Sequence, residues 1–255
     1  YARQLAPADD GARLALIYGI GPIHLGEGSG ETFGDADMAA DGIVAAFRQA
    51  RDDGDVAAIV FRLDSPGGSY VASDAIWREV RRTVDAGIPV VVSMGNVAAS
   101  GGYFVAAPAT AIVADRGTVT GSIGVVAGKF VIDGLWSAIG IDWDAVGFGA
   151  NADMFSPNQP FTETQWAKLQ AMLDRIYADF KSRVAQGRDL DAAAVQAVAQ
   201  GKIWSGSDAL ERGLVDRLGG LRTAAAVALE AAGYAPDAPY VFEVVRGRDT
   251  GFEGP

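Results

Sequence analysis

The strongest constraint on this chain is an alternation of two patterns. Short apolar runs rich in β-branched residues lie at 13–20, 56–63 and 88–94, and stretches with apolar residues at helical spacing separate them, at 37–50 and 71–86. Continuous apolar runs of this length read as strands buried on both faces. Met38, Ile43, Val44 and Phe47 line one side of the first helical stretch. Runs at 111–114, 120–126 and 141–146, with a helical stretch at 130–139, continue the series. Strand, helix, strand at this spacing predicts an α/β fold with a mainly parallel sheet and right-handed crossovers. Such sheets bind ligands beyond the carboxyl ends of their strands. Two small-residue turns fall at such ends: Asp64-Ser65-Pro66-Gly67-Gly68, and Asn96-Val97-Ala98-Ala99-Ser100-Gly101-Gly102-Tyr103.

After an irregular stretch at 147–160 the chain turns helical. Thr162 is a plausible N-cap, and Trp166, Leu169, Leu173, Ile176, Tyr177 and Phe180 recur at helical spacing up to Val184. That stripe reads as packing or an oligomer contact rather than a cofactor box. Helices are expected at 191–199, 207–212 and 221–232, and a strand at 240–245. The organisation expected is a flexible segment at 1–12, one domain at 13–239 with its helical part at 161–232, and a tail at 240–255. A glycine-rich loop at 21–34 contains Gly26-x-Gly28-x-Gly30, but it lacks the lysine and the helix-opening context of a phosphate cradle. It reads as a surface loop.

Composition excludes several chemistries. A net charge of −11 argues against nucleic acid and against a basic membrane-surface patch. With no cysteine, disulfides, thiol catalysis and thiolate metal sites are impossible. One histidine, His24, cannot make a histidine-rich metal site. Asp52-Asp53-Gly54-Asp55 reads as a solvated helix-to-strand turn. No run reaches the roughly 18 apolar residues of a membrane span, and a chain opening on Tyr1 reads as a piece of something longer, with any anchor upstream.

Ser100 sits where a buried strand turns tightly into a short helix. Free N–H groups at such a turn favour a developing oxyanion, although a serine N-cap accounts for the same pattern. No Gly-x-Ser-x-Gly elbow surrounds it, and a triad would have to use His24, which reads as an ordinary loop residue. If Ser100 is a nucleophile, its base is a lysine or comes from elsewhere. The chain has four lysines: Lys129, Lys168, Lys181 and Lys202. Lys129 is nearest in sequence and reads as a surface turn residue.

Three blocks in order resemble the signature segments of the signal peptide peptidase (protease IV) family: Asp64-Ser65-Pro66-Gly67-Gly68, Ala98-Ala99-Ser100-Gly101-Gly102-Tyr103, and Thr120-Gly121-Ser122-Ile123-Gly124. Gly201-Lys202-Ile203-Trp204-Ser205-Gly206 and Gly213-Leu214-Val215-Asp216 resemble its C-terminal segment, so the likeness covers about 13–232. It implies a ClpP/crotonase-like fold and a Ser-Lys serine peptidase without cofactor or metal, cleaving hydrophobic peptides such as remnant signal peptides. Ser100 matches the nucleophile, Gly67 or Gly68 together with Gly101 the oxyanion hole, and Ser122 the serine that orients the lysine. The sheet edge near 67–70 would pair with substrate backbone. The resemblance also implies a homo-oligomer at the extracytoplasmic face of the inner membrane. One departure stands out. Where single-domain members carry the lysine, in Gly149-Ala150-Asn151-Ala152-Asp153-Met154-Phe155-Ser156-Pro157, this chain has Ala152. The C-terminal half of the long tandem form, whose lysine comes from the N-terminal half, has this character, and so would a short form with lysine changed to alanine. Two rivals remain at this point, a catalytically incomplete scaffold half and a crotonase-like acyl-CoA enzyme.

Overall fold

The computed structural model describes residues 11–26 and 37–247. In chain order the elements are β1 (Ala12–Ile20), β2 (Ile23–His24), β3 (Met38–Ala39), α1 (Ala40–Asp52), β4 (Val56–Ser65) and α2 (Tyr70–Asp85). Next come β5 (Val90–Ala99), α3 (Gly101–Ala106), β6 (Ala111–Ala114), β7 (Val119–Gly121), α4 (Asp133–Ala138) and α5 (Glu163–Arg188). The last are α6 (Ala192–Val198), β8 (Ile203–Ser205), α7 (Gly206–Glu211), β9 (Arg217–Leu218), α8 (Leu221–Ala231) and β10 (Tyr240–Val244). The chain divides into two compact units, one of residues 1–124 with 180–255 and one of residues 125–179.

The first unit holds the sheet, in the order β10-β1-β4-β5-β6-β9, with β7 pairing β5 and β8. Every pairing is parallel except β7 with β8. This is the expected α/β architecture. The central strands are covered on both sides, which is why they read as unbroken apolar runs. One face packs Leu14, Leu16, Val60 and Val91 against Ala224, Ala228 and Leu229 of α8. On the other, Phe61 meets Phe47 of α1 edge-on at 5.2 Å between ring centres. Each such fully buried side chain contributes about 1.5–3 kcal/mol. Helix starts carry the caps their sequences supply: Ser69 accepts from Ala72 N–H at the head of α2, and Asp191 from Ala194 N–H at the head of α6.

In the second unit, Trp136 and Trp143 pack edge to face at 5.7 Å. Lys129, expected as a solvated turn residue, is half-buried. Its ammonium donates to the Met154 carbonyl at 2.9 Å and lies 4.3 Å from the centre of the Phe161 ring. Thr162 does cap α5. Its hydroxyl accepts from Gln165 N–H at 3.2 Å while the Gln165 side chain accepts from Thr162 N–H at 3.1 Å, a reciprocal capping box. Thr162→Ala should therefore lower stability by about 1 kcal/mol, with Thr162→Ser close to wild type, as read from denaturant midpoints. Among the described residues no helix is long and apolar enough to cross a membrane.

The structure corrects several local expectations. Residues 38–39 belong not to the first helix but to β3, because Met38 is drawn into the core and pairs with Ile23. The third strand runs on to Ala99 because β7 supplies a second partner beyond β6. The strand at 120–126 stops at Gly121, where positive φ at Gly121 and Ser122 (77° and 49°) turns the chain out of the sheet. The helix at 130–139 shortens to α4. No strand forms at 141–146. Those residues are exposed, and the Ile141 N–H is used locally, on the Trp136 carbonyl. The strand expected at 240–245 does form, as β10 beside β1. The acidic turn at 52–55 is tied down by Arg13, which reaches Asp53 at 2.9 Å. The flexible segment at 1–12, the glycine loop at 21–34 and the tail at 240–255 lie outside the described residues at 1–10, 27–34 and 248–255.

Candidate active site

The two turns singled out in the sequence meet in the first unit. β5 ends at Ala99 and α3 begins at Gly101, so Ser100 carries the whole change of direction. It does so with φ 52° and ψ −121°, a conformation that costs an L-residue of order 1–3 kcal/mol. The Ser100 N–H donates to the Gly121 carbonyl at 2.9 Å, and the Ser100 carbonyl accepts from Phe104 N–H at 2.9 Å. The strain is thus held from both sides by parts of the fold that are themselves well packed. Tyr103, the last residue of the block Ala98-Ala99-Ser100-Gly101-Gly102-Tyr103, is fully buried, and its hydroxyl donates to the Leu214 carbonyl at 2.9 Å. Burial raises that phenol's pKa above the ordinary value, so it stays a donor and takes no part in proton transfer.

The Ser-Pro-Gly-Gly turn after β4 packs directly on this elbow. A Cβ added to Gly67 would stand 2.9 Å from the Ser100 Cβ and 2.5 Å from the Gly101 nitrogen, and one added to Gly101 would stand 3.1 Å from the Gly68 nitrogen. The Gly67 N–H is already committed: it donates to Ser65 Oγ at 3.2 Å. Gly68 is bridged by Ile23, whose N–H donates to the Gly67 carbonyl at 2.9 Å and whose carbonyl accepts from Ser69 N–H at 2.8 Å. That approach leaves no room for a side chain, since a Cβ on Gly68 would fall 2.2 Å from the Ile23 oxygen. The N–H groups of Gly68 and Gly101 have no acceptor among the described residues. Of the two glycines, Gly68 is thus the one whose N–H lacks an acceptor among the described residues. The same bridge also occupies one side of the 67–69 edge, where substrate pairing was expected.

Ser122 follows Gly121, the residue that receives the Ser100 N–H. It is half-buried with φ 49°, and its N–H donates to the Lys202 carbonyl at 2.8 Å. Ser100, Gly67, Gly68, Gly101 and Ser122 are thus brought together, in one unit. Ala152 lies in the second unit, on an exposed turn.

Candidate bases in the first unit are engaged elsewhere. Lys202 Nζ donates to the Ala197 carbonyl at 3.1 Å and Lys181 Nζ to Gln196 Oε1 at 3.0 Å. His24 proves more than a loop residue. Its Nδ1 faces the Leu25 carbonyl at 2.9 Å and its Nε2 the Asp37 carboxylate at 3.0 Å. The Leu25 carbonyl first, and then Asp37, raise its pKa above the ordinary value despite some burial. Its two ring nitrogens are thus turned toward Leu25 and Asp37. The sequence pattern carried no signal for the Ile23 bridge or for the pairing of His24 with Asp37.

Comparison with known proteins places this geometry. Residues 82–234 match the model of peptidase family S49. The chain belongs to peptidase family S49. A chloroplastic serine protease SPPA of Arabidopsis thaliana is 36% identical over 221 residues, 86% of this chain and 32% of its own length. Protease 4 of Salmonella typhi is 39% identical over 252 residues, 96% of this chain and 40% of its own. Protease 4 of Haemophilus influenzae is 37% identical over 215 residues, 83% and 34%. This family member thus spans about a third to two-fifths of the length of these curated relatives. The family match includes Ser100 and Ser122; the Gly67-Gly68 turn precedes it.

Proposed function

We propose that this chain is the nucleophile-bearing module of a serine peptidase whose general-base lysine comes from another domain or chain. The observation that carries the reading is the strained Ser100 elbow facing two backbone N–H groups, of Gly68 and Gly101, that have no acceptor. Ser100 Oγ attacks the scissile carbonyl and its proton passes to the neutral lysine amine. The carbonyl oxygen, now negative, sits between the Gly68 and Gly101 N–H groups. Collapse expels the amine, which takes the proton, and water then releases the acyl group by the same route in reverse. A lysine acts this way only when burial lowers its pKa enough to leave it neutral near pH 7. Ser122, beside Gly121, is suited to orient it.

Ala152 at the position the family resemblance gives to lysine, together with a chain that aligns with only part of Protease 4, supports the C-terminal half of a tandem form. The substrates of this reading are extended hydrophobic peptides such as remnant signal peptides. The second unit displays Val126, Phe130, Val146 and Phe148, each at least 90% exposed, an apolar surface fit for such peptides or for another subunit of a homo-oligomer. An extracytoplasmic, membrane-associated location belongs to the same proposal. The absence of lysine at 152 favours a second reading, a scaffold half without its own chemistry.

A fluorophosphonate probe separates the two. Labelling is expected on Ser100, identified by peptide mass, and only when the lysine-bearing half is present. No labelling under either condition would overturn the peptidase reading in favour of the scaffold. Labelling of the isolated chain would overturn the split dyad and place the base within these residues, with Lys129 the first to replace.

A further inference from the structure

The feature that aims Ser100 is a bulge upstream of it. Between β4 and β5 the register runs Leu63 with Met94 and then Ser65 with Ala98. One residue on β4, Asp64, is thus opposed by three on β5, Gly95, Asn96 and Val97. Below the bulge β5 pairs with β6, through Val91, Val92 and Ser93; above it β5 pairs with β7, through Val97, Ala98 and Ala99. Bulges next to active sites commonly re-aim a strand in this way. Here the change of partner is what brings Ser100 N–H onto the Gly121 carbonyl.

A bulge strands backbone polar groups, and those left unpaired in the interior are costly. Side chains satisfy four of them here. Arg62 Nη1 donates to the Met94 carbonyl at 2.9 Å and to Ser93 Oγ at 3.0 Å. Thr118 Oγ1 donates to the Gly95 carbonyl at 2.8 Å. The Asp64 carboxylate takes two donors, Asn96 N–H at 3.2 Å and Val97 N–H at 3.1 Å. Gly95 is glycine because the carboxylate lies against it: a Cβ there would stand 2.4 Å from Asp64 Oδ2. Asp64 also begins the turn that presents Gly68, since Ser65 follows it and binds the Gly67 N–H.

We propose that Asp64 is a positioning residue. By closing the Asn96–Val97 end of the bulge, its carboxylate fixes the β5–β7 pairing and with it the strained backbone of Ser100. In effect one carboxylate registers the nucleophile strand against the oxyanion turn. The geometric part of this assignment stands independently of the peptidase reading; its consequence for rate rests on that reading.

The test is amide hydrogen exchange of the isotopically labelled chain by NMR. Asp64→Ala should speed exchange at the Ser100 amide, which Asp64 does not touch, by about tenfold, while amides of β1 paired to β4 stay within about twofold of wild type. Asp64→Asn, which retains one carbonyl acceptor, should fall between. Thr118→Val, which opens the bulge from its other end, should raise Ser100 exchange as well. Should Asp64→Ala not fold, the asparagine and Thr118 variants carry the test. Unchanged Ser100 exchange, or a rise matched across β1, would overturn the assignment. In the lysine-complemented protein, Asp64→Asn should slow the maximal rate of fluorophosphonate labelling and leave its concentration dependence unchanged. Labelling that survives Ser100→Ala would sink the nucleophile reading, whereas the exchange result would still decide Asp64.

Discussion

Replacing Ser100 by glycine should abolish peptide hydrolysis while leaving a protein more stable than the alanine variant. The loss of turnover, measured in the lysine-complemented enzyme, should be at least ~10³-fold and up to ~10⁶-fold, the range met when the nucleophile of a serine hydrolase is removed. The stability difference has a separate origin. At φ 52° a Cβ crowds the backbone, and the penalty for a non-glycine residue is of order 1–3 kcal/mol. Alanine keeps the Cβ and the strain. Glycine removes both, at a cost of about 0.4–1 kcal/mol from the greater freedom of the unfolded chain. Glycine at 100 should therefore exceed alanine by about 1 kcal/mol in a denaturant titration. A merely structural N-cap serine predicts a different ordering. There the side-chain oxygen would matter to stability, and both variants would fall below wild type. The side chain of Ser100 makes no capping hydrogen bond in α3, so that outcome is not expected. Strain held at a nucleophile and relieved by an inactivating change is the usual trade of function against stability.

How much of this was legible beforehand depended on the range of the interaction concerned. The strand–helix alternation and the glycine-flanked turns are local patterns, and the fold class and the meeting of Ser100 with the Gly67-Gly68 turn followed from them. Pairings made by two or three residues were not legible. β2 with β3, and β7 with β8, are too short to leave a periodic trace, yet the first brackets Gly68 and the second receives Ser122. The run at 141–146 has strand-like composition but no partner edge, and composition alone cannot tell the two situations apart. Asp64 looks like any turn-opening aspartate. Its two acceptor contacts lie 32 and 33 residues away, and only the folded register shows that they matter. The diversion of Gly67 N–H to Ser65 Oγ is of the same kind. The two glycines look alike in the sequence, and only the folded turn shows that the Gly67 N–H is bonded within it.

Glu79 illustrates the remaining gap and supplies the largest stability effect to be expected. Nothing in the helical pattern of 71–86 sets it apart, but its side chain is only 1% exposed and sits between α1 and α2. Arg51 reaches it at 2.5 Å, Arg82 at 3.2 Å and Arg48 at 3.3 Å. Burial pushes its pKa up, but the hydrogen bond from Arg51 and the charges of Arg48 and Arg51 outweigh this and hold it below the ordinary value of 4.5. The carboxylate is thus the hub of a partly buried network, and deleting it leaves Arg51, which is 22% exposed, without its main counter-charge. Removing one partner of a buried pair costs about 3–5 kcal/mol. Arg48 and Arg82 are more than half exposed and regain water when freed, so Glu79→Ala should fall near the lower end, at about 3 kcal/mol. The pH dependence follows in sign. A carboxyl held lower in the folded than in the unfolded state stabilises fully above its unfolded value, and the contribution is lost as pH falls through the folded value. Wild type should therefore lose stability below about pH 4.5 more steeply than Glu79→Gln, the two curves converging in acid. Parallel curves would show that Arg51, Arg48 and Arg82 contribute nothing through this carboxylate, and that α1 and α2 are held by apolar packing alone.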